Sequence, residues 1–268
     1  AREYQPVLPV AHDICLWFIM PTYAYLGRLS VVVPVHNEQD NIEPLIREIV
    51  AALGGKAEFE MIYVNDGSTD GTQAVLDRLK GECPMLRAIR HQRACGQSQA
   101  VTTGVRAARY EWIATLDGDG QNDPADIPAL LAALAEPQQP AHLELLAGWR
   151  TKRNDTFLRR LSSKVANGVR SRMLKDSTPD TGCGLKVFAR ETFLRLPNFD
   201  HIHRFLPALV IRGGGAVVSV PVNHRSRERG VSKYGLHNRL WVGIVDLFGV
   251  AWLQRRIRLP VIEPGSDL

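Results

Sequence analysis

From residue 29 onward, short apolar runs rich in β-branched residues alternate with segments of helical periodicity. This alternation limits the fold more than any other feature of the chain. "LSVVVPV" (29–35), "EMIYVND" (60–66), "LRAIR" (86–90) and "EWIATLD" (111–117) read as strands buried on both faces. Between them, residues 40–53 carry Ile42, Leu45, Ile49 and Leu53 at helical spacing, "TDGTQAVLDRLK" opens on capping residues, and "GQSQAVTTGVRAAR" reads as a third helix. Such alternation with short turns predicts an α/β fold: a doubly wound, mostly parallel sheet with helices on both faces. After residue 140 the order changes. "HLELLAGWR", "CGLKVFA" and "AVVSVPVNHR" read as further strands, and residues 157–173 as a helix with Phe157, Leu161, Val165, Val169 and Met173 every four residues.

In a doubly wound sheet, ligands bind beyond the carboxyl ends of the strands. Three polar clusters sit at such ends: "VHNE", "NDGSTDG" and "DGDGQ". The last crowds Asp117 and Asp119 onto a turn with Gly118, Gly120 and Gln121. Two carboxylates so close repel each other, so a cation is expected there; hard oxygen ligands on a tight turn suit Mg²⁺ or Mn²⁺. A solvated turn with capping aspartates is the plainer account. It suits Asp123 and Asp126, where "NDPAD" resembles a cap followed by Pro at the first helical position. Asp66 follows the second strand directly and could accept the N–H groups of a nucleobase or close an Asx turn. Asp70 and Thr72 look like caps. Arg225, Arg227, Arg229 and Lys233 gather on a loop with Gly230, which fits a pyrophosphate or a solvated basic loop.

The chain has 268 residues and a formal net charge of +5, mild basicity that suits phosphate-bearing ligands, nucleic acid or anionic lipid. Aromatics are only 7% of residues and sit mostly in apolar runs, away from the cations, so no nucleic-acid surface is expected. Cys15, Cys83, Cys95 and Cys183 have neither zinc spacing nor the density of a disulfide framework, and are expected to be reduced thiols in a cytoplasmic setting. No apolar run has the length of a spanning helix. The expected organisation is an N-terminal arm (1–28), a catalytic domain (29–235) and a C-terminal apolar and basic helix with a tail (236–268).

Taken together, "VVVPVHNE", "YVNDGSTDGT", "DGDGQNDP", "DTGCGLKVFAR" and "RERGVSK" resemble glycosyltransferase family 2 over roughly residues 29–235, most closely the dolichyl- or polyprenyl-phosphate mannose and glucose synthases. The resemblance implies a GT-A fold, a nucleotide-sugar donor and a divalent metal, Mg²⁺ or Mn²⁺. It implies that Pro34, His36, Glu38 and Asp66 hold the nucleoside. His36 stands where that branch often has tyrosine, and Asn65 replaces a frequent first aspartate. Asp117, Asp119 and Gln121 match the metal and ribose-phosphate ligands, Asp119 with a catalytic role. Arg225, Arg229, Ser232 and Lys233 match a mobile loop that closes on the donor phosphates. Arg150 and Lys164 fall where the family binds the lipid phosphate with arginines.

Transfer to a sugar hydroxyl needs a general base. Members that act on hydroxyls commonly carry an "ED" pair, where this chain has "PDTGCGLK", with Asp180 and no adjacent Glu. A phosphate monoester is already anionic near pH 7 and needs cations, which residues 150–175 supply. The expected acceptor is therefore a polyprenyl phosphate. A saccharide hydroxyl with Asp180 as base is the alternative, and a basic scaffold the non-enzyme one. The basic, apolar-striped helix at 157–173 and the apolar stretch 240–253, followed by Arg255, Arg256 and Arg258, suit a membrane surface or a membrane-protein partner. Many relatives carry transmembrane helices after the catalytic domain, whereas this chain stops at Leu268; peripheral association with the inner membrane is expected.

Overall fold

The computed structural model describes residues 27–151, 168–226 and 236–256, with the side chains of 236–241 excepted. The first four strands form where the apolar runs predict them: β1 (Arg28–Val35), β2 (Glu58–Asp66), β3 (Leu86–His91) and β4 (Trp112–Thr115). They alternate with α1 (Gln39–Leu53), α2 (Thr72–Glu82) and α3 (Gln97–Ala107). A 3₁₀ turn at Pro124–Asp126, capped by the Asp123 carboxylate, leads into α4 (Ile127–Leu134). Then follow β5 (Leu143–Arg150), the helical residues 168–174 (α5), β6 (Lys186–Ala189), α6 (Arg190–Arg195), α7 (Leu206–Arg212), β7 (Ala216–Val222) and α8 (Leu236–Arg256).

The seven strands form one sheet in the order β3-β2-β1-β4-β6-β5-β7. All neighbours run parallel except β6, which is antiparallel to both β4 and β5. The reversed strand is a finding that the sequence does not show: a buried apolar run specifies a strand and not its direction. Side chains alternate across the sheet. Leu29, Val31 and Val33 of β1 join Phe59, Met61 and Tyr63 of β2 in a core with Ile42, Ile49 and Leu76 from α1 and α2. On the opposite face, Val32, Ile62 and Val64 pack with Val101 and Val105 of α3 and Leu209 of α7. Burial on both faces is why these strands read as unbroken apolar runs.

One expectation changes. Cys95 and Cys183 are free thiols, but Cys83 is disulfide-bonded, so the four cysteines are not all reduced. Of the helix expected at 157–173, only the last turns are described, and there Val169 is exposed while Met173 packs on the second core. Residues 1–26, Lys164, Arg229, Ser232 and Lys233 lie outside the described residues.

Candidate active site

The carboxyl ends of β1, β2 and β4 bring the three polar clusters to one edge. β1 pairs with β2 through Val35↔Asn65 and with β4 through Val32↔Thr115, so "VHNE", "NDGSTDG" and "DGDGQ" leave the sheet side by side. The first two are tied together. His36 Nδ1 lies 2.7 Å from the Asp66 carbonyl oxygen, which can only accept, so this nitrogen carries the proton. Asn37 donates its N–H to Ser68 Oγ at 2.9 Å and accepts from Thr69 N–H at 2.7 Å. Asp70 accepts from Thr72 N–H and Thr72 Oγ1 from Glu38 N–H; the N-cap position of α2 is Gly71, so these two residues tie the turns together rather than capping the helix as expected. The Glu38 carboxylate accepts from the Asn41 amide at 2.7 Å. Pro34 is buried near the end of β1.

Asp66 is 5% exposed. Its Oδ1 lies 2.8 Å from His91 Nδ1 and accepts from Cys95 N–H at 2.8 Å, while Oδ2 accepts from Gly96 N–H at 2.7 Å. Gly67, at φ +63°, leaves room for this: a Cβ there would stand 2.4 Å from Ala94 N and the Arg93 carbonyl carbon. The loop 93–96 therefore lies directly over the end of β2.

At the end of β4, Asp117 and Asp119 turn back as a pair. Asp117 accepts from the Gln97 side-chain amide at 2.7 Å, and its N–H donates to Asn122 Oδ1 at 3.0 Å. Asp119 Oδ1 accepts from Gln121 N–H at 3.1 Å. Gly184 admits the Asp117 carboxylate, since a Cβ there would meet all three of its atoms at 2.3–2.6 Å. Burial and the neighbouring Asp119 charge push the Asp117 carboxyl up to about 6; Lys186, Arg150 and the Gln97 hydrogen bond oppose this. An oxygen-donor acid whose ionisation is opposed by burial and a neighbouring carboxylate suits a hard divalent cation, and the residues present fit Mg²⁺ or Mn²⁺.

Beneath this turn is a cation that the sequence reading missed. Lys186 is 3% exposed, on β6 opposite Thr115, and its ammonium donates to the Cys183 carbonyl. Burial lowers its pKa, while Asp117 and Asp180 favour its charge. A lysine inside an apolar strand, "GLKVF", was the signal that could have revealed it.

Arg150 ends β5, as predicted, but its fork is occupied. Nε donates to Asp180 Oδ2 at 2.6 Å and Nη2 to Oδ1 at 2.8 Å, with side chains 15% and 6% exposed. Arg150 and Asp180 thus act as one bidentate unit. Arg225, expected as a donor-phosphate ligand, pairs here with two carboxylates. It donates to Glu48 at 2.7 Å and to Asp123, while its backbone N–H meets Gln121 O at 3.0 Å. With Gln121 Nε2 on the Arg225 carbonyl and a bridge between Asn122 and His224, it fastens the segment after β7 to the acidic turn.

The family model of glycosyl transferase family 2 matches residues 30–196. A dodecaprenyl-phosphate galacturonate synthase of Rhizobium johnstonii is 38% identical over 233 residues, covering 85% of this chain and 68% of that protein. An undecaprenyl-phosphate 4-deoxy-4-formamido-L-arabinose transferase of Edwardsiella ictaluri is 32% identical over 220 residues, covering 81% and 66%. The chain thus spans about two thirds of the length of these relatives. Among solved structures, a mannosyltransferase from Pyrobaculum calidifontis in complex with GDP-Man and Mn²⁺ superposes with a TM-score of 0.65 at 23% identity, covering 96% of this chain and 70% of that one. A glucosyl-3-phosphoglycerate synthase from Mycobacterium tuberculosis with uridine diphosphate gives 0.64 at 18% identity, covering 90% and 83%.

Proposed function

The chain belongs to glycosyl transferase family 2 and is a glycosyltransferase of GT-A fold, and from that premise we propose that it transfers a sugar, with inversion, from a UDP- or GDP-sugar to a polyprenyl phosphate. One observation carries the choice of acceptor. Asp180, the carboxylate that a hydroxyl acceptor would need as base, has both oxygens held by the Arg150 fork. Both oxygens already accept from the guanidinium, which holds them away from an acceptor hydroxyl. An anionic acceptor needs no base. The Rhizobium and Edwardsiella relatives, both polyprenyl-phosphate enzymes, point the same way.

In this reading a phosphate oxygen of the lipid attacks the anomeric carbon. The bond to the nucleoside diphosphate breaks on the opposite side, and its electron pair leaves with the diphosphate. Asp66, His36, Glu38 and Pro34 line the nucleoside end of the crevice. Asp117 and Asp119, with Gln121, would hold Mg²⁺ or Mn²⁺, which would supply Lewis-acid stabilisation of the leaving diphosphate. Lys186 lies beside Asp117, and each favours the other's charge. Arg150, oriented by Asp180, turns its remaining N–H groups to the acceptor phosphate, with Lys164 assisting; Arg229, Ser232 and Lys233 close on the donor. The lipid requires a membrane surface. On α8, Val245, Phe248 and Trp252 are 67%, 62% and 57% exposed and run toward Arg255 and Arg256, which supports peripheral seating on anionic lipid or against a membrane-protein partner. Among the described residues no helix is long and apolar enough to cross a membrane.

A screen of UDP- and GDP-sugars by thermal shift in Mn²⁺ tests the donor: a true donor at 100 times its Kd adds about 2.7 kcal/mol of stability. Transfer assays with that donor then offer polyprenyl phosphate against free saccharides. Polyprenyl phosphate is expected to be the sole acceptor. Turnover onto a saccharide with the lipid inert would overturn the reading.

A further inference from the structure

Asp66, His91 and Cys95 stand at the ends of β2 and β3, each offering a ligand atom within 4.8 Å of the others. The donor set is oxygen, nitrogen and sulfur. That is not the chemistry of the Asp117–Asp119 turn, where every side-chain donor is a hard oxygen. We propose that Asp66, His91 and Cys95 form a second metal site, selective for a borderline-soft divalent ion of the Zn²⁺ class, with water as the fourth ligand.

Three features of the geometry carry this. First, zinc bonds of about 2.0–2.3 Å in a tetrahedron place ligand atoms roughly 3.3–3.8 Å apart. His91 Nδ1 and Asp66 Oδ1, now 2.8 Å apart, need only open slightly, and the exposed Cys95 side chain can swing inward. Second, His91 Nε2 lies 2.9 Å from Thr103 Oγ1 on α3. A hydroxyl both donates and accepts, so it can donate to Nε2 while Nδ1–H faces Asp66. Once Nδ1 ligates an ion, the same hydroxyl can accept from Nε2–H. This is the outer-shell contact that orients a metal-bound histidine. Third, the Asp66 carboxylate is already fixed by the N–H groups of Cys95 and Gly96, so the ligand least able to move is held before any ion arrives. Thiolate and imidazole favour Zn²⁺ over Mg²⁺ or Mn²⁺, which separates this site from the acidic turn.

The test uses the full chain stripped of metal and titrated with Co²⁺, then with Zn²⁺. A thiolate-to-Co²⁺ charge-transfer band should appear, saturate at a single ion per chain and vanish on Zn²⁺ addition. Cys95→Ser keeps the backbone N–H that holds Asp66 and should abolish the band. Cys183→Ser and Asp119→Ala should leave it intact. Thr103→Val should weaken Co²⁺ affinity about 10- to 100-fold while the band at saturation is unchanged. The site is refuted if no thiolate band forms, if the band survives Cys95→Ser, or if it depends on Cys183.

Discussion

Asp117 is the residue whose protonation decides most. Its pKa of about 6 in the metal-free chain stands above the ordinary 3.8, so the folded protein holds this proton more tightly than the unfolded chain does. Its contribution to stability is therefore complete below about 3.8 and lost as pH rises through about 6. Asp117→Asn, neutral and nearly isosteric, should raise the melting temperature of the metal-free protein above pH 6 and leave it unchanged below pH 4. For Mn²⁺ the sign reverses, because the ion must displace the proton. Its affinity, followed by electron paramagnetic resonance, should fall below pH 6 by roughly tenfold per pH unit. A flat profile would remove Asp117 from the ligand set. Arg150 and Asp180 have to be read as a pair. Arg150→Ala should raise the polyprenyl-phosphate requirement about 10- to 150-fold, the loss of a charge-assisted contact of about 1.5–3 kcal/mol, with donor affinity unchanged. Asp180→Asn should also damage the enzyme, because it leaves a mostly buried guanidinium unpaired, at about 3–5 kcal/mol of stability. The pH dependence of turnover separates the roles: a general base would lose its limb in Asp180→Asn, whereas an orienting partner leaves the profile in place.

At the scale of elements, the site depends on the segment after β7 being fastened to the acidic turn. Asn223 N–H donates to Asp126 Oδ2 at 2.7 Å, Asn122 bridges His224, and Arg225 spans Glu48 of α1 and Asp123. The Arg225 and Glu48 side chains are 36% and 41% exposed, so that ion pair adds little to global stability, about 0–1 kcal/mol. Its effect should be local. Arg225→Ala should leave the melting temperature nearly unchanged and speed amide exchange at 121–126 and 223–225. Exchange that stays at the wild-type rate would show that the clasp does not depend on Arg225. The basic loop at 225–233 was legible in the sequence as positive charge; what Arg225 does with its charge was not. Glu48 lies 177 residues away, and helical periodicity on α1 marks it only as a polar position.

For the whole molecule, the second core has a buried-histidine dependence on acid. His203 Nδ1 lies 2.8 Å from Ser98 Oγ at the start of α3. Burial pushes this imidazole down to about 3, with the Lys186, Arg204 and His201 charges acting in the same direction. The unfolded chain takes up this proton near 6.5 and the folded chain only near 3. Stability from His203 is thus whole above 6.5 and lost as pH falls toward 3. Chemical denaturation at pH 7.5 and 4.5 should show a smaller loss on acidification in His203→Gln than in the wild type. An equal loss would place the acid sensitivity elsewhere. Comparing variant with parent cancels Asp117, which acts in the opposite direction over part of that range.

The sequence by itself determined what depends on near neighbours. Apolar runs and helical spacing set β1 to β4 and α1 to α3. The glycine and aspartate turns set where the chain leaves the sheet. The jointly specific motifs set the family. All of these are written in segments of a few to a few tens of residues, where backbone preference and side-chain periodicity act directly. Tertiary structure alone decided the reversed direction of β6, the placing of Lys186 opposite Thr115, the closing of Arg150 on Asp180 across 30 residues, and the pairing of Arg225 with Glu48 and Asp123. The reason is physical: a charged side chain takes the opposite charge that the fold brings within reach, and which one that is depends on how the whole sheet is assembled.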